Sequence, residues 1–251
     1  MSNKEEDNLI KLALNYFKER NFKKAKEIVL SIIEHDNSNH SLKHFLGVIL
    51  LELKDNILAL EYINAAIDLD PKNSGYLITA GIAYKNIGKY KDALKCFNKS
   101  ESLNPKSSKV FFNRANLHLE NENYTDALND YKKSITLDSK LFQSFYHIGD
   151  ILLKLNKKKE SINYFSDAIL LNPSYEEALC SRGIALLQLR RFYEAQKDLE
   201  KTIYLNSRNK RAKAGLGEIF LHSGDLENGL NMMQDFYGFI RFSKNSEHKI
   251  I

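Results

Sequence analysis

The chain has 251 residues, 43% hydrophobic and 27% charged, with a net charge of +5 at neutral pH. That composition supplies enough apolar surface for a core and excludes disorder of the whole chain. Three prolines and 11 glycines disfavour a loop-rich all-β design and let helices run unbroken, while so mild a cationic excess argues only weakly for a nucleic-acid or membrane partner.

Cys96 and Cys180 lie far apart, each without a second cysteine nearby. This is neither a disulfide framework nor a zinc knuckle, and it fits a reducing compartment. The opening MSNKEEDNLIKL is charged and lacks the apolar core of a signal peptide. The apolar run near Phe45–Leu51 is far short of the roughly 18–20 residues needed to span a bilayer. The expectation is a soluble, cytoplasmic chain with no membrane span.

Pro71, Pro105 and Pro173 are separated by 34 residues and by twice that interval. After a short tail, 1–5, the same interval divides the chain into seven units: 6–39, 40–73, 74–107, 108–141, 142–175, 176–209 and 210–243. A tail, 244–251, follows. The first unit carries Ala13, Tyr16 and Ala25, with Ile32 where others have Ala, Ser or Thr. The second repeats the small places as Gly47 and Ala59. In the third, Leu77, Ala80, Gly81 and Tyr84 recur at helical spacing, GKY makes a turn, and Ala93, Phe97 and Ser100 mark a second helix closed by LNP. The fourth has Ala115, Ala127 and Tyr131; the fifth Gly149, Ser161 and Phe165. Ser174 with Glu177 reads as a capping box that starts the sixth, which carries Gly183 and Ala195. The seventh has Gly217 and Gly229, then Met232, Met233, Phe236 and Tyr237 on an apolar helix face with no further unit to cover it. Gly238 reads as a helix stop and Phe239–Phe242 as a short extended cap over that face; the rival reading is a homodimer or partner interface. Small residues at shared registers let two helices approach, and large ones fill the space between them.

This pattern resembles the tetratricopeptide repeat family, over residues 6–243. The aromatic that the family carries at the fourth place is Phe111 and Phe145 here, with Leu9, Leu77 and Leu179 elsewhere, and the chain has no tryptophan. The resemblance implies an all-α, right-handed superhelical solenoid of seven helix-turn-helix units, or about fourteen antiparallel helices. It also implies that the first helix of each unit lines a concave groove. The groove places are His44 and Phe45; Ile78, Thr79 and Ile82; Lys109, Phe112, Asn113 and Asn116; and Gln143, Tyr146, His147 and Asp150. Amides can hold an extended peptide backbone and aromatics can anchor it. The same aromatics, Phe45, Phe112 and Tyr146, can equally pack between neighbouring first helices, and both readings stay open. Asn113 matches the middle element of the subtype that grips a C-terminal carboxylate. Ile78, Ile82, Gln143 and His147 stand where its flanking elements belong, so the cations are missing.

No phosphate loop, nucleophile elbow or zinc-protease motif is present, and neither an enzyme nor a cofactor is expected. His147 and Asp150 read as a local polar pair. His40 and His44 have a spacing that can hold a metal but lack a third ligand. Cys96, beside Phe97, reads as core. The favoured function is a non-catalytic adaptor scaffold holding a partner's peptide. A second reading is RNA or an acidic ligand bound by Arg190, Arg191, Arg208, Lys210, Arg211 and Lys213, with Tyr193 and Tyr204 nearby. A third is an accessory subunit of an enzyme encoded elsewhere.

Overall fold

The structure, a computed structural model, describes residues 3–35 and 37–237. The cap read at Phe239–Phe242 and the stop at Gly238 lie outside them, as do the side chains of Phe236 and Tyr237. Among the described residues there are fourteen helices and no strand. They belong to two compact units, divided between Asp138 and Ser139.

The first unit holds α1 (Asn3–Lys18), α2 (Phe22–His35), α3 (His40–Glu52), α4 (Asn56–Leu69), α5 (Ser74–Asn86), α6 (Tyr90–Leu103), α7 (Ser108–Glu120) and α8 (Tyr124–Leu137). The second holds α9 (Phe142–Lys154), α10 (Lys158–Leu171), α11 (Glu176–Gln188), α12 (Phe192–Leu205), α13 (Lys210–His222) and α14 (Leu226–Tyr237). Odd-numbered helices are the first of each hairpin and even-numbered the second. From α3 to α13 the first helices have 13 residues, and from α2 to α12 the second helices have 14.

The small-residue registers explain why the hairpins close. Ala25, Ala59, Ala93, Ala127, Ser161 and Ala195 are fully buried on the second helices. They are matched on the first helices by fully buried Ala13 and Ala115 and by buried Gly47, Gly81, Gly149, Gly183 and Gly217. The large partners lie across the hairpin. A Cβ at Gly81 would stand 2.5 Å from the Phe97 ring, and one at Gly149 2.7 Å from Phe165. Phe97, Tyr131 and Phe165 are among the largest fully buried side chains. Tyr131 faces alanine, not glycine, in its own hairpin.

Each hairpin turns through a residue in the left-handed region at one register: Arg20, Lys54, Gly88, Glu122, Asn156, Arg190 and Gly224. In the second hairpin the Lys54 N–H donates to Leu51 O and the Asp55 N–H to Leu50 O. This is the Schellman arrangement that satisfies the last carbonyls of a helix. Only two of the seven are glycine, so five turns carry a side chain where a Cβ costs about 1–2 kcal/mol.

The connections between hairpins are capped unevenly. Asn39 accepts from Leu42 N, Asn73 from Gly75 N and Asn209 from Ala212 N. The capping box expected at Ser174 and Glu177 does not form. Tyr175 is the N-cap residue of α11, with no side-chain bond, because its carbonyl already accepts the Leu179 N–H. Ser174 falls one place too early, and its own N–H donates to Asn172 Oδ1.

Within the first unit, Ala13, Val29, Ile32, Leu46, Ile49, Leu50 and Ile63 form one core cluster. Ile78, Phe97, Val110 and Leu117 form another. In the second unit Leu186, Leu199, Leu216 and Ile219 are the centre of a further cluster.

Candidate functional site

The groove residues divide between the two units. On the first unit, α3, α5 and α7 are successive neighbours. His44 on α3 bonds Thr79 on α5, Nε2 to Oγ1 at 2.9 Å. The Thr79 hydroxyl proton is committed to Gly75 O, so His44 Nε2 carries a proton and donates. The His44 ring also lies 4.5 Å from the Tyr76 ring. Burial pushes the His44 imidazole down to about 4, because an apolar setting penalises the charged form. His40 meets the Tyr76 hydroxyl through Nδ1 at 2.8 Å. The two histidines of metal-like spacing thus each have a protein partner on α5.

Ile78 does not line a groove: it is 8% exposed and sits in the core with Phe97, Val110 and Leu117. Its place on α5 faces the next hairpin, where apolar contact outweighs exposure. Ile82 packs against the same cluster while partly exposed. Phe45 is half-buried and meets Phe17 edge to face, with ring centres 5.5 Å apart. Phe112 meets Tyr131 likewise at 6.0 Å. Phe45 thus packs on the neighbouring first helix and Phe112 on the second helix of its own hairpin, and each keeps part of its surface in solvent. Lys109 is exposed. The Asn113 amide donates to Lys109 O on its own helix at 2.8 Å, and the residue is half-buried. Asn116 accepts the Tyr131 hydroxyl at 2.5 Å.

On the second unit, α9, α11 and α13 are neighbours. Tyr146 meets Tyr175 edge to face at 5.2 Å, and Phe142 meets Tyr175 at 4.9 Å. All three rings are half-buried, as are Gln143, His147 and Asp150. Burial raises the phenol pKa values of Tyr146 and Tyr175, so both stay neutral donors. Asp150 pairs with Lys154 at 3.2 Å. Burial lowers the pKa of His147 and the Asp150 charge opposes that shift. Cys180, on α11, is 3% exposed, its thiol 3.9 Å from Asn209 Oδ1.

Two ion-pair modules were not visible as a unit in the linear sequence. Arg114 on α7 grips Asp130 on α8 with two bonds, of 2.7 and 2.9 Å, and its Nη1 also donates to Glu101 and Asn98. Lys133 completes the network on Glu101 at 2.9 Å. Arg182 on α11 grips Asp198 on α12 in the same way, at 2.7 and 2.8 Å, and donates to Ser166. Arginine occupies a first-helix register that holds Leu46, Ala80, Ile148 and Leu216 in other hairpins. The signal was the recurrence of Arg114 as Arg182 and of Asp130 as Asp198, each at twice the repeat length.

The basic residues do not form one patch. Arg190 and Arg191 precede the N-terminus of α12, whereas Arg208, Lys210 and Arg211 follow its C-terminus. Fourteen helical residues separate the groups, which is about 20 Å. Arg191 is also bound to Glu194 by two short bonds. Arg211 reaches Ser181 Oγ at 3.5 Å, and Lys213 is half-buried.

A family model described as tetratricopeptide repeat matches residues 40–73, 75–107 and 142–175, and a second of the same description matches 180–230. A related model, SHNi-TPR, matches 109–144. The chain belongs to the tetratricopeptide repeat family. No curated protein matches it. Tetratricopeptide-repeat structures of similar fold include Pseudomonas aeruginosa PilF, with TM-score 0.73 at 16% identity, covering 81% of this chain and 93% of that one. PilW, a type IV pilus biogenesis factor, has TM-score 0.74 at 14% identity, covering 86% and 100%. YrrB, a repeat protein with an unusual peptide-binding site, has TM-score 0.57 at 18% identity, covering 79% and 98%. At these identities the likeness is one of fold. Tetratricopeptide repeat proteins mediate protein–protein interactions, and among the described residues no helix is long and apolar enough to cross a membrane.

Proposed function

We propose that this tetratricopeptide repeat protein is a non-catalytic adaptor that holds an extended peptide of a partner protein against the first helices of its hairpins. The observation that carries the reading is the row of half-buried groups on α9: Tyr146 braced by Tyr175 and Phe165, with Gln143, His147 and Asp150 beside it. Braced aromatics offer anchoring area at little cost in rotamer freedom, and the amide, imidazole and carboxylate offer donors and acceptors to a peptide backbone. On the first unit, Thr79, Lys109, Phe112 and Asn113 offer a comparable mixture. The fold neighbour YrrB has a peptide-binding site, which is consistent with such a use of the fold.

The test is selection of peptides from a random library on the full chain, followed by affinity measurement on Gln143→Ala/Tyr146→Ala and on Phe112→Ala/Asn113→Ala variants. At least one pair weakens binding by about tenfold, the usual size of a truncated aromatic anchor. Affinity changes little with added salt, because few charges are involved. Selected peptides that bind both folded variants as tightly as the parent would refute the reading.

A further inference from the structure

The two arginine–aspartate modules are an internal comparison, and they differ in their charges. Around Arg114 the charges balance: Arg114 and Lys133 are held by Asp130 and Glu101. Around Arg182 the place of Glu101 is taken by Ile169, and among the described residues Asp198 is the carboxylate bonded to the guanidinium. An open cleft lies beside each arginine: about 270 Å³ at Arg114, with Asn98, Asp126 and Asn129 in its lining, and about 330 Å³ at Arg182, where Ser166, Glu194 and Lys197 take those places and Arg191 and Tyr193 join them. Three cations face the cleft at Arg182, against Glu194 and Asp198. Arg191 is paired with Glu194 and Arg182 with Asp198. Lys197 makes no salt bridge among the described residues, and its ammonium sits 4.3 Å above the Tyr193 ring.

The cleft opens at one end of a continuous stripe. Tyr193, Lys197 and Tyr204 fall on a single face of α12, opposite buried Ala195, Leu199 and Thr202. Tyr193 is 71% and Tyr204 89% exposed, which is unusual for rings of that size. Lys201 flanks the stripe on one side; on the other, Glu200 accepts from Gln196. A surplus cation in a cleft, resting on one exposed ring and followed along the helix by a second, suits a ligand that alternates anionic groups with flat faces.

We propose that α12 of the second unit is a binding face for single-stranded nucleic acid: a phosphate sits in the cleft by Arg182 and Lys197, and unpaired bases stack on Tyr193 and Tyr204. The site is distinct from the peptide face of α9. It also differs from the linear basic stretch, since Arg208, Lys210 and Arg211 are not its centre.

Fluorescence anisotropy on the full chain, with labelled oligo-uridylate and oligo-thymidylate of about 15 nucleotides, tests this. Binding of either is expected at low salt, weakening with a log–log slope of about −0.7 for the one phosphate held in the cleft. Tyr204→Ala alone should lower affinity about fivefold or more, the least that one stacked base contributes. Tyr193→Ala/Tyr204→Ala and Lys197→Glu should lower it further. Lys23→Glu, at an exposed place on α2, makes the same change of charge and should alter affinity less than about twofold. No binding of either oligonucleotide, equal affinity for the duplex of the same length, indifference to Tyr204→Ala, or an equal loss from Lys23→Glu would each overturn the proposal.

Discussion

Gly81 has no room for a methyl group. The Phe97 ring that it faces is fully buried, so the ring cannot swing into solvent to make way. Gly81→Ala should therefore lower stability by about 1–3 kcal/mol, read from the urea midpoint. Adding Phe97→Leu to that variant should cost less than Phe97→Leu costs the parent, because the space is shared. A second residue-scale consequence concerns His44. Its folded-state pKa of about 4 lies below the ordinary 6.5, so the unfolded chain binds the proton more readily. The stability that His44 lends as a neutral donor is fully present above pH 6.5 and is lost as pH falls towards 4. His118 and His147 shift in the same direction, so the comparison must be with a single variant. His44→Gln should lose less stability than the parent between pH 6.5 and 4; parallel curves would show that His44 is not held neutral.

At the scale of the element, the helix starts show where the repeat is imperfect. The register before each second helix holds Asn21, Asp55, Asn123 and Asp225, each accepting a backbone N–H of the first turn. In the same register Lys89, Lys157 and Arg191 make no side-chain cap. There a cation faces the positive end of the helix dipole. Lys157→Asp should raise stability by about 1 kcal/mol through the restored cap and the reversed charge, seen as a higher melting temperature. No change, or a fall, would mean that α10 is stabilised by packing alone. The elements were legible in the sequence because Gly47, Gly81 and Pro71 recur with one period, and each has a single physical role. Ser174 misled because a serine–glutamate spacing is local, whereas the start of α11 is set by which carbonyl first accepts a helical bond. Ile78 misled because a first-helix register meets both the groove and the next hairpin, and only contact with Phe97 and Val110 decides between them. Arg114 and Asp130 were hidden because a charge at an apolar register looks like solvated surface until its partner, sixteen residues on, is brought beside it.

At the scale of the molecule, the hairpins repeat a scaffold and vary its surfaces. Cores depend on the registers held by small and large apolar residues, so the remaining places are free to differ between units. That division is why family membership could be read directly from the sequence while the binding faces could not: nothing in the linear order distinguishes Phe112, which packs on Tyr131, from a free anchor. The central claim is that a peptide lies along first helices. Hydrogen–deuterium exchange of the full chain, with and without a library-selected peptide, tests it most directly. Slowed exchange is predicted in α9, α11 and α13 or in α3, α5 and α7, with second helices unchanged. Protection confined to second helices such as α10 and α12 would contradict the account.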